Sequence, residues 1–413
     1  MICRICSSEN LTPVLDLGMH SWCNDFRKPE DSPAEKYPLR MVYCSKCGLA
    51  QLDYTVKKEI MFSNHTYVSG TTKTLAKHFF DLADENTFQF NIQPDDLIVD
   101  IGGNDGTQLL QYARQGFRNL LNIESAKNIA EIANSKGIFT MADYFNEDFV
   151  TNWFQTGGGK AKLINASGVF FHLEELHSVC RGIKQLLDDE GIFVVQFMYL
   201  KDIIEHCAFD AIYHEHLCYY TLNSLMNLME MYDMVLLDAY KHPIHGGSMM
   251  AKFVHSSSIK SRIPWRRTQR AQQAIDEEGT VGIIELEEFA KRVKTKRNSI
   301  REMLLELKSQ GKKIYGYGSP AKGTTLLTYC GIDHTILDKL VEVNQLKVGL
   351  VSPGSNIPIV LESKTDRPDY YFMLCWNFAE EILQKNVDVL TLGTKFIVPL
   401  PEIIIYENQL AHI

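Results

Sequence analysis

"DDLIVDIGGNDGTQLLQYA", residues 95–113, decides the fold. Leu97 to Ile101 form a short apolar run of the buried-strand kind, with Asp100 near its end. Gly102, Gly103 and Gly106 then allow a tight turn, and Thr107 to Ala113 restart at helical spacing. Strand, glycine turn and helix in that order are the first unit of a doubly wound α/β sheet. Working outward, "NLLNIESA" (119–126) is a second strand ending in Glu124, and "FTMADYF" (139–145) a third ending at Asp143. "AKLINASGVFFHL" (161–173) and "GIFVVQFMYL" (191–200) follow as further buried strands, the first running into a helix with His172 near its start.

The acids at these strand ends describe a ligand. Glu124 follows the glycine turn by about 20 residues, where a carboxylate can take both hydroxyls of a ribose. The pair Asn104-Asp105 stands where a dinucleotide fold needs room for a pyrophosphate. A carboxylate there repels phosphate and suits the ammonium end of a zwitterion. Asp100, Gly102, Asn104, Asp105, Glu124 and Asp143 thus outline a nucleoside pocket without a phosphate requirement, which favours S-adenosylmethionine over NAD. The competing reading is an α/β domain with incidental loop acids.

A second strand–loop–helix unit stands near the other end, in "KKIYGYGSPAKGTTLLTYCGI" (312–332). Lys312 to Tyr315 read as the strand and Gly316, Gly318 and Gly323 as the loop, with Lys322 placed for an anionic phosphate or else in solvent. The predicted division is a zinc-binding module at 1–71, a Rossmann-like class I methyltransferase domain at 72–255, a solvated helical connector at 256–309 and a second Rossmann-like domain at 310–413.

Four cysteines make two CxxC pairs, Cys3 with Cys6 and Cys44 with Cys47. Two such turns can close a tetrahedral shell of thiolates around a structural zinc ion, which then has no open position for chemistry. Free-thiol turns are the alternative. The interval between the pairs exceeds the usual zinc-ribbon spacing of about 15–20 residues, so a loop must bulge between them.

The bulk numbers narrow the function. The 413 residues suffice for two or three domains, and 45% hydrophobic with 23% charged residues suits a globular protein. A net charge of −9 and a pI near 5.8 weigh against a nucleic-acid partner. No apolar run approaches the roughly 20 residues of a membrane span. "MICRICSSEN" (1–10) has no secretion leader, so a cytoplasmic protein with reduced thiols is expected.

"AIYHEHLCYY" (211–220) sets Tyr213, His214, Glu215 and His216 in a row after the fifth strand. Adjacent side chains point apart, so metal binding is the weakest reading, and a polar surface turn is the bland one. The segment should lie over the carboxyl ends of the strands, where doubly wound folds bind ligands. There a histidine can remove a proton from an activated carbon if a carboxylate holds its tautomer.

The whole chain resembles the C-methyltransferases of nucleotide-linked 4-keto deoxysugars. The paired CxxC turns, "YVSGTT" (67–72), "DIGGNDGT" (100–107), "VFFH" (169–172), "YHEH" (213–216), "HGGS" (245–248), "GYGSPAKGTTLLTYCGI" (316–332) and "TKFIVPLP" (394–401) carry the resemblance in that order. It implies His216 as general base at C3 of the sugar, with Tyr213 and Glu215 beside it and Tyr67 and His172 orienting the sugar or its enolate oxygen. It implies S-adenosylmethionine on Gly102, Asn104, Asp105 and Glu124, and a dTDP- or GDP-linked sugar near His214, with Lys322 as a diphosphate contact by inference. Gly168 stands where many relatives have Asn, and Gly103 where Ser is usual. A sugar O-methyltransferase, a zinc-containing RNA methyltransferase and a non-catalytic sugar-nucleotide binder are the alternatives.

Overall fold

A computed structural model describes residues 1–62, 73–262, 267–363 and 365–407. Tyr67 lies outside the described residues. Among the described residues, seventeen strands build three sheets: β1 (Leu11–Ser21), β2 (Lys36–Cys44), β3 (Ala50–Leu52), β4 (Ile98–Ile101), β5 (Leu120–Ile123), β6 (Thr140–Met141), β7 (Ala161–Ser167), β8 (Leu187–Met198), β9 (Cys218–Tyr219), β10 (Met234–His242), β11 (Ser248–His255), β12 (Ile314–Tyr317), β13 (Lys339–Glu342), β14 (Ile359–Leu361), β15 (Tyr370–Met373), β16 (Lys395–Val398) and β17 (Ile404–Tyr406).

The central sheet runs β10-β11-β8-β7-β4-β5-β6. Strands β4, β5, β6, β7 and β8 are parallel, and β11 enters antiparallel between β8 and β10. All four residues of β4 are buried, which explains why it reads as a continuous apolar run. The order reverses between β4 and β7, so the loops leaving these two strands frame the crevice where an open α/β sheet takes its ligand. Helix Lys73–Phe90 covers one face and buries Leu75, Phe79 and Leu82, the residues spaced for it in the sequence.

The C-terminal sheet, β14-β13-β12-β15-β16-β17, repeats the plan with a parallel core and an antiparallel edge strand. Its first strand is Ile314–Tyr317, two residues later than the sequence suggests. Gly316 therefore belongs to the strand, where its missing Cβ makes way for Leu340. The stretch between the two sheets is more than a solvated connector. It folds into helices Gln269–Glu278 and Ile283–Ser309, and the longer one buries Leu286, Phe289, Val293, Ile300, Leu304 and Leu307 along one face.

The N-terminal sheet is β1-β2-β3-β9. The bulge expected between the CxxC pairs is the long β1–β2 hairpin. Its fourth strand comes from far along the chain: β9, two residues beyond His216, pairs Tyr219 with Ala50 and Cys218 with Gln51. The segment 211–220 is thus stitched to the cysteine module.

Candidate active site

The four paired cysteines converge. Their sulfur atoms lie within 4.8 Å of one another, with Cys3 3.4 Å from Cys47 and Cys6 3.5 Å from Cys44. Zinc–sulfur bonds of about 2.3 Å put tetrahedral thiolates about 3.8 Å apart, so the residues fit a closed zinc shell. Cys3, Cys44 and Cys47 are buried, which suits an ion that holds structure.

At the crevice, the loop Gly102–Gly106 turns sharply, with left-handed φ of 64° at Gly102, 51° at Asn104 and 74° at Gly106. Glu124 braces it: one carboxylate oxygen accepts the Asn104 N–H at 3.1 Å and the other the Ala126 N–H at 2.8 Å. That places an acceptor-only group beside the loop, as two ribose hydroxyls require. Asp100 is buried beneath the loop, and burial pushes its carboxyl well above the usual range, helped by the neighbouring charge of Glu124. Its Oδ2 meets no donor among the described residues. These strand-end carboxylates fit a nucleoside that carries positive charge. Asp143 is exposed beyond β6 and accepts the Tyr144 N–H.

Asp105, expected near the ammonium end of the cofactor, has a fully buried side chain that accepts from Thr107 and pairs with Lys136 at 2.5 Å.

The tyrosine–histidine segment stands beside this crevice. The β7 exit carries Val169, which presses on Gly102 so closely that a Cβ there would lie 2.6 Å from it. Three residues on, His172 sits in a 3-10 turn, Phe170–His172, ahead of the helix Leu176–Leu186 and not inside it. The rings of His172 and His216 are 5.1 Å apart, Phe171 meets His216 edge-on at 4.6 Å, and Tyr213 packs on it at 3.8 Å. The cluster and the Gly102–Gly106 loop share one wall.

Hydrogen bonds set both imidazole tautomers. A carbonyl can only accept, so Nδ1–H of His216 donates to Ala211 O at 2.7 Å, and Nδ1–H of His172 to Glu215 O at 2.5 Å. In each neutral ring the lone pair is then on Nε2. The tautomer-holding group at His216 is a backbone carbonyl, not the carboxylate the sequence suggests.

Glu215 instead faces the β1–β2 hairpin. Its Oε1 accepts Trp22 Nε1–H at 2.6 Å and Asn24 Nδ2–H at 2.7 Å. His214, expected near the sugar nucleotide, lies on another side of the segment. It is buried against the N-terminal sheet, with Nε2 3.3 Å from Pro38 O and Tyr37 edge-on at 5.8 Å, away from the His172–His216 pair. Burial lowers its pKa. Lys322, expected at a diphosphate, has its Nζ 3.9 Å from the buried Asp210 carboxylate and 4.2 Å over the Trp376 ring. Trp22, Asn24, Asp210 and Trp376 have no local sequence signal, because each acts through a partner far along the chain.

Residues 3–62 match a methyltransferase-associated zinc binding domain, residues 76–239 a methyltransferase domain and residues 243–401 the C-methyltransferase C-terminal domain. The chain belongs to the C-methyltransferase family: it is an S-adenosylmethionine-dependent C-methyltransferase with a structural zinc module. C-methyltransferase NovU of Streptomyces niveus is 31% identical over 406 residues, 97% of this chain and 95% of that protein. Among solved structures, an S-adenosylmethionine-dependent methyltransferase from Clostridium acetobutylicum overlaps 44% of this chain and 92% of its own, at 10% identity and a TM-score of 0.34. Magnesium protoporphyrin IX methyltransferase from Synechocystis with bound SAH overlaps 44% and 83%, at 13% identity and 0.34.

Proposed function

We propose that the acceptor is a nucleotide-linked 4-keto deoxysugar, methylated at the carbon beside its carbonyl. The observation that supports this most is the His216 tautomer. Its Nδ1 is committed to Ala211, so Nε2 is the basic atom, in a nearly dry cluster of Tyr213, Phe171 and His172 beside the cofactor loop. His216 Nε2 takes the proton from the carbon next to the ketone, and the electron pair moves onto the carbonyl oxygen as an enolate. Tyr213 stands beside it to donate a hydrogen bond to that oxygen, with Tyr67 in the same role. The unprotonated Nε2 of His172 accepts from a sugar hydroxyl and orients the ring. S-adenosylmethionine, held by the Gly102–Gly106 loop and Glu124, supplies the methyl group. As the enolate carbon bonds to the methyl, the methyl–sulfur bond would break and S-adenosylhomocysteine would leave; the carbonyl reforms and the proton stays on His216. Positioning of this kind can account for about 7–11 kcal/mol of barrier reduction.

Among the described residues no helix is long and apolar enough to cross a membrane, and ten unpaired thiols suit the reducing cytoplasm we assign to the enzyme.

The test is a panel of dTDP- and GDP-linked 4-keto sugars, deuterated beside the ketone and incubated with the enzyme without methyl donor. The label should wash out with wild type and remain with His216→Ala, which should still bind S-adenosylhomocysteine. Retained methyl transfer by His216→Ala removes the base assignment. Product NMR showing an O-methyl group removes the carbon-acid mechanism.

A further inference from the structure

The C-terminal sheet reverses its strand order between β12 and β15, which makes that crevice its ligand-binding position by the same rule that serves the central sheet. Its loop and strand-end acid are already engaged. Glu342, at the end of β13, accepts the backbone N–H groups of Ser319, Val343 and Asn344, and Lys347 Nζ donates to Ser319 O. A carboxylate from the central domain also reaches this face. Asp210, fully buried, accepts Trp376 Nε1–H at 2.6 Å and lies 3.9 Å from Lys322 Nζ. Lys322 opens the helix that follows β12, and Trp376 opens the turn that follows β15. Asp210 therefore stands as an internal anion at the switch point.

Asp210 belongs to the 3-10 turn Phe209–Ala211, and the next residue supplies the carbonyl that holds His216 Nδ1–H. The same C-terminal helix grips the strip again: Thr325 Oγ1–H donates to Ile212 O at 2.9 Å, and Thr324 Oγ1–H to Cys23 O at 3.2 Å. Asp210 Oδ1 meets no donor among the described residues, so its attachment rests on Trp376 and on the charge of Lys322. A buried carboxylate that keeps one oxygen unmatched is costly as a mere staple, and replacing such an ion pair by apolar residues is often neutral or stabilising.

We infer that Asp210, Lys322 and Trp376 are positioning residues: the C-terminal domain clamps the turn 209–211 and so aims the His216 ring. The clamp rests on the reading of His216 as the base, and it has a readout of its own. In the full chain labelled with [15N]histidine, the Nδ1–H signal of His216, assigned by its loss in His216→Ala, reports the bond to Ala211 directly.

The variants are Trp376→Phe, which removes the donor, Asp210→Asn, which keeps an acceptor without charge, and Lys322→Met against Lys322→Arg. With the sugar nucleotide that wild type methylates, Trp376→Phe, Asp210→Asn and Lys322→Met should lose at least tenfold in kcat. KM for S-adenosylmethionine and calorimetric Kd for S-adenosylhomocysteine should stay within twofold, and the Nδ1–H signal should shift or broaden. Lys322→Arg should recover most of kcat. If Asp210→Asn does not fold, the Trp376 and Lys322 variants decide, since both leave the carboxylate in place. Folded variants with wild-type kcat and an unmoved Nδ1–H signal overturn the clamp. A moved signal in an enzyme whose His216→Ala form stays active supports the clamp and sinks only the base.

Discussion

Gly103 and Gly168 flank the same crevice, and the surroundings of each predict opposite consequences for an added side chain. A Cβ on Gly103 would fall 2.0 Å from Asn122 Oδ1 and 2.6 Å from Asp100 Oδ2, both fixed beneath the cofactor loop. Gly103→Ala must lift that loop off its floor, and the expected outcome is at least a tenfold weaker Kd for S-adenosylhomocysteine by calorimetry. Gly168 differs. Its φ of 74° is left-handed, but a Cβ there meets nothing within 4 Å. Asn is among the few residues that accept this conformation, so Gly168→Asn should fold with little loss of stability. Its side chain would project into open space at the β7 exit, near His172. The measurable effect belongs to the acceptor: KM for the sugar nucleotide should change several-fold while donor Kd stays constant. Unchanged acceptor kinetics would place the sugar elsewhere. Sequence alone shows the two glycines but not which of them has space around it, since the neighbours of Gly103 lie on other strands.

At the scale of one element, the helix Ile283–Ser309 shows how charge density conceals a core face. Glu and Lys dominate "ELEEFAKRVKTKRNSIREMLLELK", yet Leu286, Phe289, Val293, Ile300, Leu304 and Leu307 recur at three-, four- and seven-residue steps. That is the stripe of a helix with one buried side. Phe289 and Val293 are fully buried and belong to the core shared by the N-terminal sheet and the C-terminal domain. Tyr43 of β2 reaches the start of the same helix, donating to Val281 O at 3.2 Å. Truncating a large buried aromatic costs about 3–5 kcal/mol, whereas an exposed surface change stays within about 0.5. Phe289→Ala should therefore lower the melting temperature by several degrees, and Glu287→Ala, on the exposed side, should not. Equal melting of the two variants would restore the picture of a solvated connector. The doubly wound sheets were easier to read, because a glycine turn between a buried strand and a helix is a local signal. The amphipathic stripe is diluted by its own polar neighbours.

At the scale of the whole molecule, the zinc-binding cysteines and His216, the base proposed above, are joined through one strip of chain. Zinc-bound modules of this kind rarely hold their fold without the ion. Here the module supplies β3, on which β9 is laid two residues past His216, and the hairpin whose Trp22 and Asn24 hold the Glu215 carboxylate. Those contacts join residues 193 and 191 positions apart, so the cysteine pairs are legible in the sequence while their link to catalysis is not. Removing zinc should release the hairpin, leave Glu215 buried without its donors and loosen the backbone that carries His216. The cofactor loop is braced differently, by Glu124, Val169 and the Ile123 carbonyl, all within the central sheet and its exits. Chelated enzyme should therefore lose methyl transfer by at least a hundredfold while still binding S-adenosylhomocysteine within a few-fold of wild type, and added zinc should restore turnover. Glu215→Gln separates the two links: it keeps an acceptor for Trp22 and Asn24 but removes the charge, and should fall between wild type and the metal-free form. Full methyl transfer at less than a tenth of a zinc ion per chain, measured by elemental analysis, would uncouple the module from the active site.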